Sequence, residues 1–175
     1  MWMNADSAGS WKLLQSLLDY PLVFLLWTFC LYWIHRIGHR IPFVNTFHQD
    51  HHSFINRNGG TTWHWNNLFL YNDTWRSTID LWITEVIPTL VFSAVIGRWW
   101  VIIFYCLWAA LLQEQIEHSP SFDWYPYLTS GKWHLVHHRH QRANFGLFIP
   151  LWDRLFGTEM ATQVAAVVQS HTPKI

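Results

Sequence analysis

Long apolar runs alternate along this chain with short polar stretches dense in histidine. The first run covers residues 11–34, and its densest part, 21–34, carries no charge. A bilayer core about 30 Å thick is crossed by about 20 helical residues. Trp11 and Trp33 are spaced to lie about 33 Å apart along a helix, so they would mark the two interfaces. Lys12 and Asp19 fall in the outer half of that run. A helix that continues past Ile34 lifts His35 and His39 just clear of the membrane. The second run is broken. Residues 81–97 are apolar apart from Glu85, with Pro88 interrupting; Arg98 follows, and 99–112 are apolar again. This pattern predicts a helical hairpin that crosses twice or re-enters from one side. Either form returns the chain to the face it left.

The expected fold class is therefore all-α. It has integral-membrane helices, about three spans or one span plus a re-entrant hairpin, and a cytoplasmic helical cap. A soluble helical protein that buries the same runs internally is the competing architecture. One domain is expected over residues 1–175, with its core at about 20–158. The stretch 159–175 is small and polar and reads as a frayed tail or a weak surface helix.

Composition sharpens this picture in three ways. Fourteen tryptophans suit a chain with many positions that are apolar on one side and wet on the other. The net charge is zero, so no basic surface invites nucleic acid. Cys30 and Cys106 both sit in apolar runs and read as small buried hydrophobes rather than a disulfide framework. The polar first ten residues, with no small-residue cleavage site after the apolar run, do not read as a cleavable signal peptide.

The polar stretches carry the chemistry. His35-Arg-Ile-Gly-His39 is followed by His48-Gln-Asp-His51-His52, then by His118, then by His134-Leu-Val-His137-His138. Residues three and four apart share a helix face, so each box is expected to point its imidazoles in one direction. Neutral imidazole ligates iron, zinc or copper. Nine histidines exceed the needs of one ion, and two metals sharing the set is the economical reading. The hairpin brings His118 back beside the first two boxes, and the third box follows with no further crossing. Arg36, Arg40, Arg57, Lys132, Arg139, Arg142 and Arg154 lie on that same side, which the lysine and arginine bias marks as cytoplasmic. His64 and His140 are further possible ligands; His171, in the tail, is not. Asp50, Glu114, Glu117 and Asp153 are candidates to accept the second ring N–H of a ligating histidine.

The order and spacing of the boxes resemble the fatty acid hydroxylase / sterol desaturase superfamily of integral-membrane di-iron enzymes. Asn144-Phe145-Gly146, the run Trp152-Asp153-Arg154-Leu155-Phe156-Gly157-Thr158, and His118-Ser119-Pro120 extend that resemblance over about residues 20–158. It implies two iron ions, which zinc can replace in purified protein, with O2 as co-substrate. It also implies a lipid or other apolar substrate, and electrons from a separate transfer protein of the cytochrome b5 or ferredoxin-reductase type. Relatives usually have four membrane helices; here the tunnel is expected to be shallower, or completed by a second chain in a homo-oligomer. Many relatives follow the histidine at the position of His64 with proline and an acid, but here Trp65-Asn66-Asn67 follows.

Soluble di-iron oxygenases bridge their metals with carboxylates from Glu-x-x-His pairs, and none occurs here; Glu114-Gln-Ile-Glu117-His118 comes nearest. An imidazole-rich pair of metals suits dioxygen activation and attack on an unactivated C–H bond. Hydroxylation is the leading reading. Desaturation and aldehyde C–C cleavage are alternatives on the same fold. A non-catalytic membrane metal- or haem-binding protein is the alternative of a different class. Haem needs one or two axial ligands, which leaves most of the boxes unused.

Overall fold

The structure is a computed structural model that describes residues 5–160, with side chains described from Leu18 onward. The tail beyond 160, including His171, and the side chain of Trp11 lie outside the described residues. Among those residues the fold is all-helical, with a single isolated bridge between Asp123 and Gly131 as its β element.

Helix α1 (Ala5–Gly38) continues through Pro21. Within its described side chains, Leu18–Gly38 is long and apolar enough to cross a membrane, and His35 lies in its last turn. Helix α2 (Pro42–Asn58) starts with proline at its first turn, where no N–H is needed, and stops at Gly59 with φ 70°. A 3₁₀ turn (Trp65–Phe69) leads to α3 (Trp75–Ile96), whose N-cap Thr74 accepts from the Ser77 N–H at 3.0 Å. Pro88 does not interrupt α3. The turn Trp82–Val86 ahead of it is π-helical, and the wider turn absorbs the carbonyl that proline cannot satisfy. Gly97 ends α3 at φ 69°, and α4 (Trp100–Ile116) returns antiparallel with its own π turn at Ala109–Gln113. Two short helices follow among the described residues: α5 (Lys132–Arg139) and α6 (Leu151–Leu155).

Two helices, Leu18–Gly38 and Trp75–Ile96, are long and apolar enough to cross a membrane, and α4 is a shorter apolar helix. Only 39% and 33% of the two long windows is buried, and Leu22, Leu26, Val91, Val95, Ile103 and Leu107 point outward. A soluble core helix would hide such a surface. The inward faces meet on an aromatic cluster. Trp27 is fully buried, donates to Thr89 Oγ1 at 3.0 Å, and packs against Phe24, Phe104, Tyr105 and Phe148. At the far end of the bundle, Arg98 in the hairpin tip donates to Asp19 at 2.7 and 3.2 Å. This arrangement puts the end of α1, the start of α3 and the end of α4 at one level, with α2 and α5 laid across it.

Candidate metal centre

All nine box histidines converge at that level, and eight of them are buried; His39 is half-buried. They do not point box by box. His35, His39, His48, His52 and His137 form one group, while His51, His118 and His138 form a second. Ligand atoms within each group lie within 4.8 Å of one another. His134 stands beside the second group, its Nε2 3.1 Å from that of His138. The expectation that each box faces one way is therefore corrected for both H-x-x-H-H motifs. On α2 the i,i+4 pair His48/His52 joins the first group and His51, rotated about 100° from His52, joins the second. On α5 the pair His134/His138 faces the second group and His137 the first. A helix laid between two foci serves both, because adjacent residues diverge by about 100°.

The ring tautomers follow from the outer hydrogen bonds. A carbonyl can only accept, so His35 donates from Nδ1 to Phe145 O at 2.8 Å, His137 to Ala143 O at 2.7 Å, and His52 to His138 O at 3.3 Å. His48 turns its Nδ1 to the Asp80 carboxylate at 2.8 Å. Burial, reinforced by the neighbouring rings, pushes the His39 and His51 imidazoles down to about 3. It holds His48, His52, His134, His137 and His138 well below the usual imidazole range. A neutral ring with its proton on Nδ1 presents a bare lone pair at Nε2. Yet Nε2 of His48 lies 3.1 Å from Nε2 of His35 and 2.9 Å from Nε2 of His52. Even with its own proton on Nε2, His48 could fill only one of these contacts. His39 Nε2 lies 3.1 Å from both His48 and His137 and can supply one proton at most. A cation at this focus turns the repulsion into ligation.

The second group has the complementary signature. His51 Nδ1, His138 Nδ1 and both nitrogens of His118 are buried without a hydrogen-bond partner, a costly state for polar atoms. Glu114 Oε2 lies 3.3 Å from His118 Nδ1 and also accepts from the Thr61 hydroxyl. Between the groups is a cavity of about 20 Å³, close to one water molecule in size. Its walls include histidines of both groups together with Thr84, Glu85, Glu117 and Leu147.

The remaining candidates from the sequence fall in different places. His64 caps the 3₁₀ turn, its N–H donating to Asn67 Oδ1 at 2.7 Å, and His140 caps α5; both stand outside the two groups. Asp50 accepts from Thr74 Oγ1 at 2.7 Å and Glu117 from Trp108 Nε1 at 3.4 Å. Asp153 accepts from the N–H groups of Phe145 and Gly146, both at 2.8 Å, and from Thr158 Oγ1 at 2.7 Å. It thereby holds the loop whose Phe145 carbonyl receives His35. A Cβ on Gly146 would stand 2.8 Å from Asp153 Oδ2 and from Ile149 O, which explains the glycine of Asn-Phe-Gly. Asn144, at φ 59°, ties the same loop to Trp133 O and Met160. Trp152 donates to Thr28 Oγ1 at 3.1 Å, and Phe156 stacks on Tyr32, so the closing motif is a buttress against α1. Asp80 escapes the sequence pattern, because the apolar run begins one residue after it. The signal that could find it is an isolated acid on a membrane-length helix.

A profile of the fatty acid hydroxylase family matches residues 20–158. The chain is also similar to two Delta(7)-sterol 5(6)-desaturases of Aspergillus fumigatus. It is 26% identical to erg3B over 83% of this chain and 40% of that protein, and 28% identical to erg3A over 82% and 38%. A probable Delta(7)-sterol 5(6)-desaturase of Neurospora crassa is 27% identical over 89% of this chain and 41% of its own length. The chain thus spans about two fifths of the length of these relatives. No solved structure matches it significantly.

Proposed function

This chain belongs to the fatty acid hydroxylase family, and on that premise we propose that it is a membrane-bound oxidoreductase with a non-haem di-iron centre that oxidises an unactivated C–H bond of a lipid or other apolar molecule. The observation that carries this reading is the convergence of Nε2 atoms around His48 and His39, in more contacts than their ring protons can fill. A histidine core held together by hydrogen bonds would place a proton in each of those contacts.

In this reading His35, His39, His48, His52 and His137 hold one iron, and His51, His118, His134 and His138 hold the other. Bound iron supplies the redox chemistry: C–H, O2, two electrons and two protons yield C–OH and water. The electrons come from a separate transfer protein. The chain's own residues set the geometry. Asp80 and the carbonyls of Phe145, Ala143 and His138 orient four rings of the first group. Glu114 sets a carboxylate 3.3 Å from His118 Nδ1. The small cavity holds about one water, and Leu147 gives it an apolar wall beside the Phe148–Trp27 cluster. The basic residues around the histidine end support a cytoplasmic placement of that end.

Desaturation is the second reading, favoured because the matched relatives carry sterol desaturase names. It removes two hydrogens instead of inserting oxygen. Elemental analysis of purified protein tests the centre, with about two metals per chain expected; full activity with less than one metal would sink it. Zinc found after overexpression would not, since zinc outcompetes ferrous iron for nitrogen ligands. Mass spectrometry of lipids from cells making the protein or its His48→Ala variant separates the chemistries. A gained oxygen marks hydroxylation and two lost hydrogens mark desaturation.

A further inference from the structure

Among the nine clustered histidines only His39 escapes full burial, and it opens into a pocket of about 510 Å³. The remaining walls are Arg36, Arg40, Gln141, Arg142 and Phe145. Three arginines thus line one concavity, and none of the three has an ion-pair partner among the described residues. Arg36 is fixed: it donates to Tyr32 Oη at 2.8 Å and lies over the rings of Trp33 and Phe145. Arg40 and Arg142 are exposed. Gln141 is held in a reciprocal pair with Gln49, at 2.6 and 2.9 Å, so the charged donors of the pocket are the arginines. Like charges gathered in a hollow repel one another, and an oxyanion reverses that sign. The planar arginine fork matches phosphate or carboxylate oxygens two at a time.

The surroundings indicate the source of the anion. Arg36 and Arg40 straddle the end of the membrane-length window Leu18–Gly38. Their sequence neighbours Ile37 and Ile41 are 46% and 44% exposed, and Phe43 is 69% exposed. A cationic hollow rimmed by outward apolar side chains at a helix end suits an anionic head joined to an apolar tail.

We propose that the Arg36–Arg40–Arg142 pocket binds a phosphate-type oxyanion, presented by the headgroup of an anionic lipid at the membrane surface. Its occupant covers the one solvent-reached histidine of the cluster. The test compares wild type with the Arg40→Gln/Arg142→Gln double variant and with Arg139→Gln, a control for an exposed arginine outside the pocket. Neither pocket residue substituted makes a side-chain hydrogen bond among the described residues, so equal melting temperatures without ligand are expected. Two probes are used: inorganic phosphate against chloride at matched ionic strength, in detergent, and nanodiscs of phosphatidylcholine with or without phosphatidic acid, read by native mass spectrometry. Phosphate should raise the wild-type melting temperature, and phosphatidic acid should be retained on wild type and the control. The double variant should bind both at least tenfold more weakly. Phosphate binding without phosphatidic acid retention would keep the oxyanion site and overturn the lipid source. Equal responses of wild type and double variant to both probes would overturn the site itself.

Discussion

Asp80 is the residue on which the first group turns. It hydrogen-bonds to Nδ1 of His48, and Nε2 of His48 meets three other rings. Asp80→Asn keeps the shape and removes the carboxylate, so metal affinity should fall about 10- to 100-fold, the usual loss for such a partner. Competition with a chelator measures this, and unchanged affinity would show that His48 needs no orientation. The histidines also set a pH dependence for the metal-free protein. His39 and His51 stay neutral in the fold down to about 3, whereas the unfolded rings protonate below about 6.5. Between those limits the unfolded chain binds more protons, so stability rises with pH. It is complete above 6.5 and is lost as pH falls toward 3. Denaturant midpoints of chelator-treated protein should therefore decline steadily from about pH 7 to about pH 5; a flat profile would contradict the burial of neutral rings.

At the scale of elements, two joints hold the site over the membrane helices. Asp153 is the first, accepting from two backbone N–H groups and a hydroxyl. Asp153→Asn leaves one oxygen for three donors and should cost about 1.5–3 kcal/mol, in the range of a hydrogen bond to a charged group. Because the loop it holds aims the Phe145 carbonyl at His35, metal content should drop with thermal stability; a fall in only one would separate buttress from site. The second joint is Trp27 to Thr89, which pins α1 to α3 inside the apolar layer. Thr89→Val removes the acceptor and strands a buried indole N–H, at about 1–3 kcal/mol. The expected result is a lower melting temperature in detergent with metal content retained, since Thr89 hydrogen-bonds to Trp27 and not to a histidine. Pro88 teaches the limit of reading breakers from sequence: a π turn just ahead lets α3 pass through it.

For the whole molecule the consequential prediction is orientation. One crossing by α1 and a returning hairpin place the start of α1 and the histidine end on opposite faces. Reporters fused before α1 and after residue 160 should therefore lie on opposite sides, with the later one cytoplasmic. If both report one side, α1 does not cross and the protein sits in one leaflet. The histidines would still share an end of the bundle in that case, because α3 and α4 return the chain regardless.

Local pattern alone establishes that the chain is helical and apolar in long runs, and that nine histidines return to one end. Those facts rest on period and hydropathy, which each stretch of chain carries by itself. Residues 144–158 are legible as a motif, but not as a clamp, because the partners Tyr32, Thr28 and His35 lie more than a hundred positions away. How the histidines divide is a matter of packing. Spacing places His48, His51 and His52 on one short helix; the crossing of α2 over the ends of α1, α3 and α4 decides which focus each ring meets. Asp80 belongs to the same class. Its role depends on a contact across 32 positions, and no local pattern encodes which buried acid will lie against which ring.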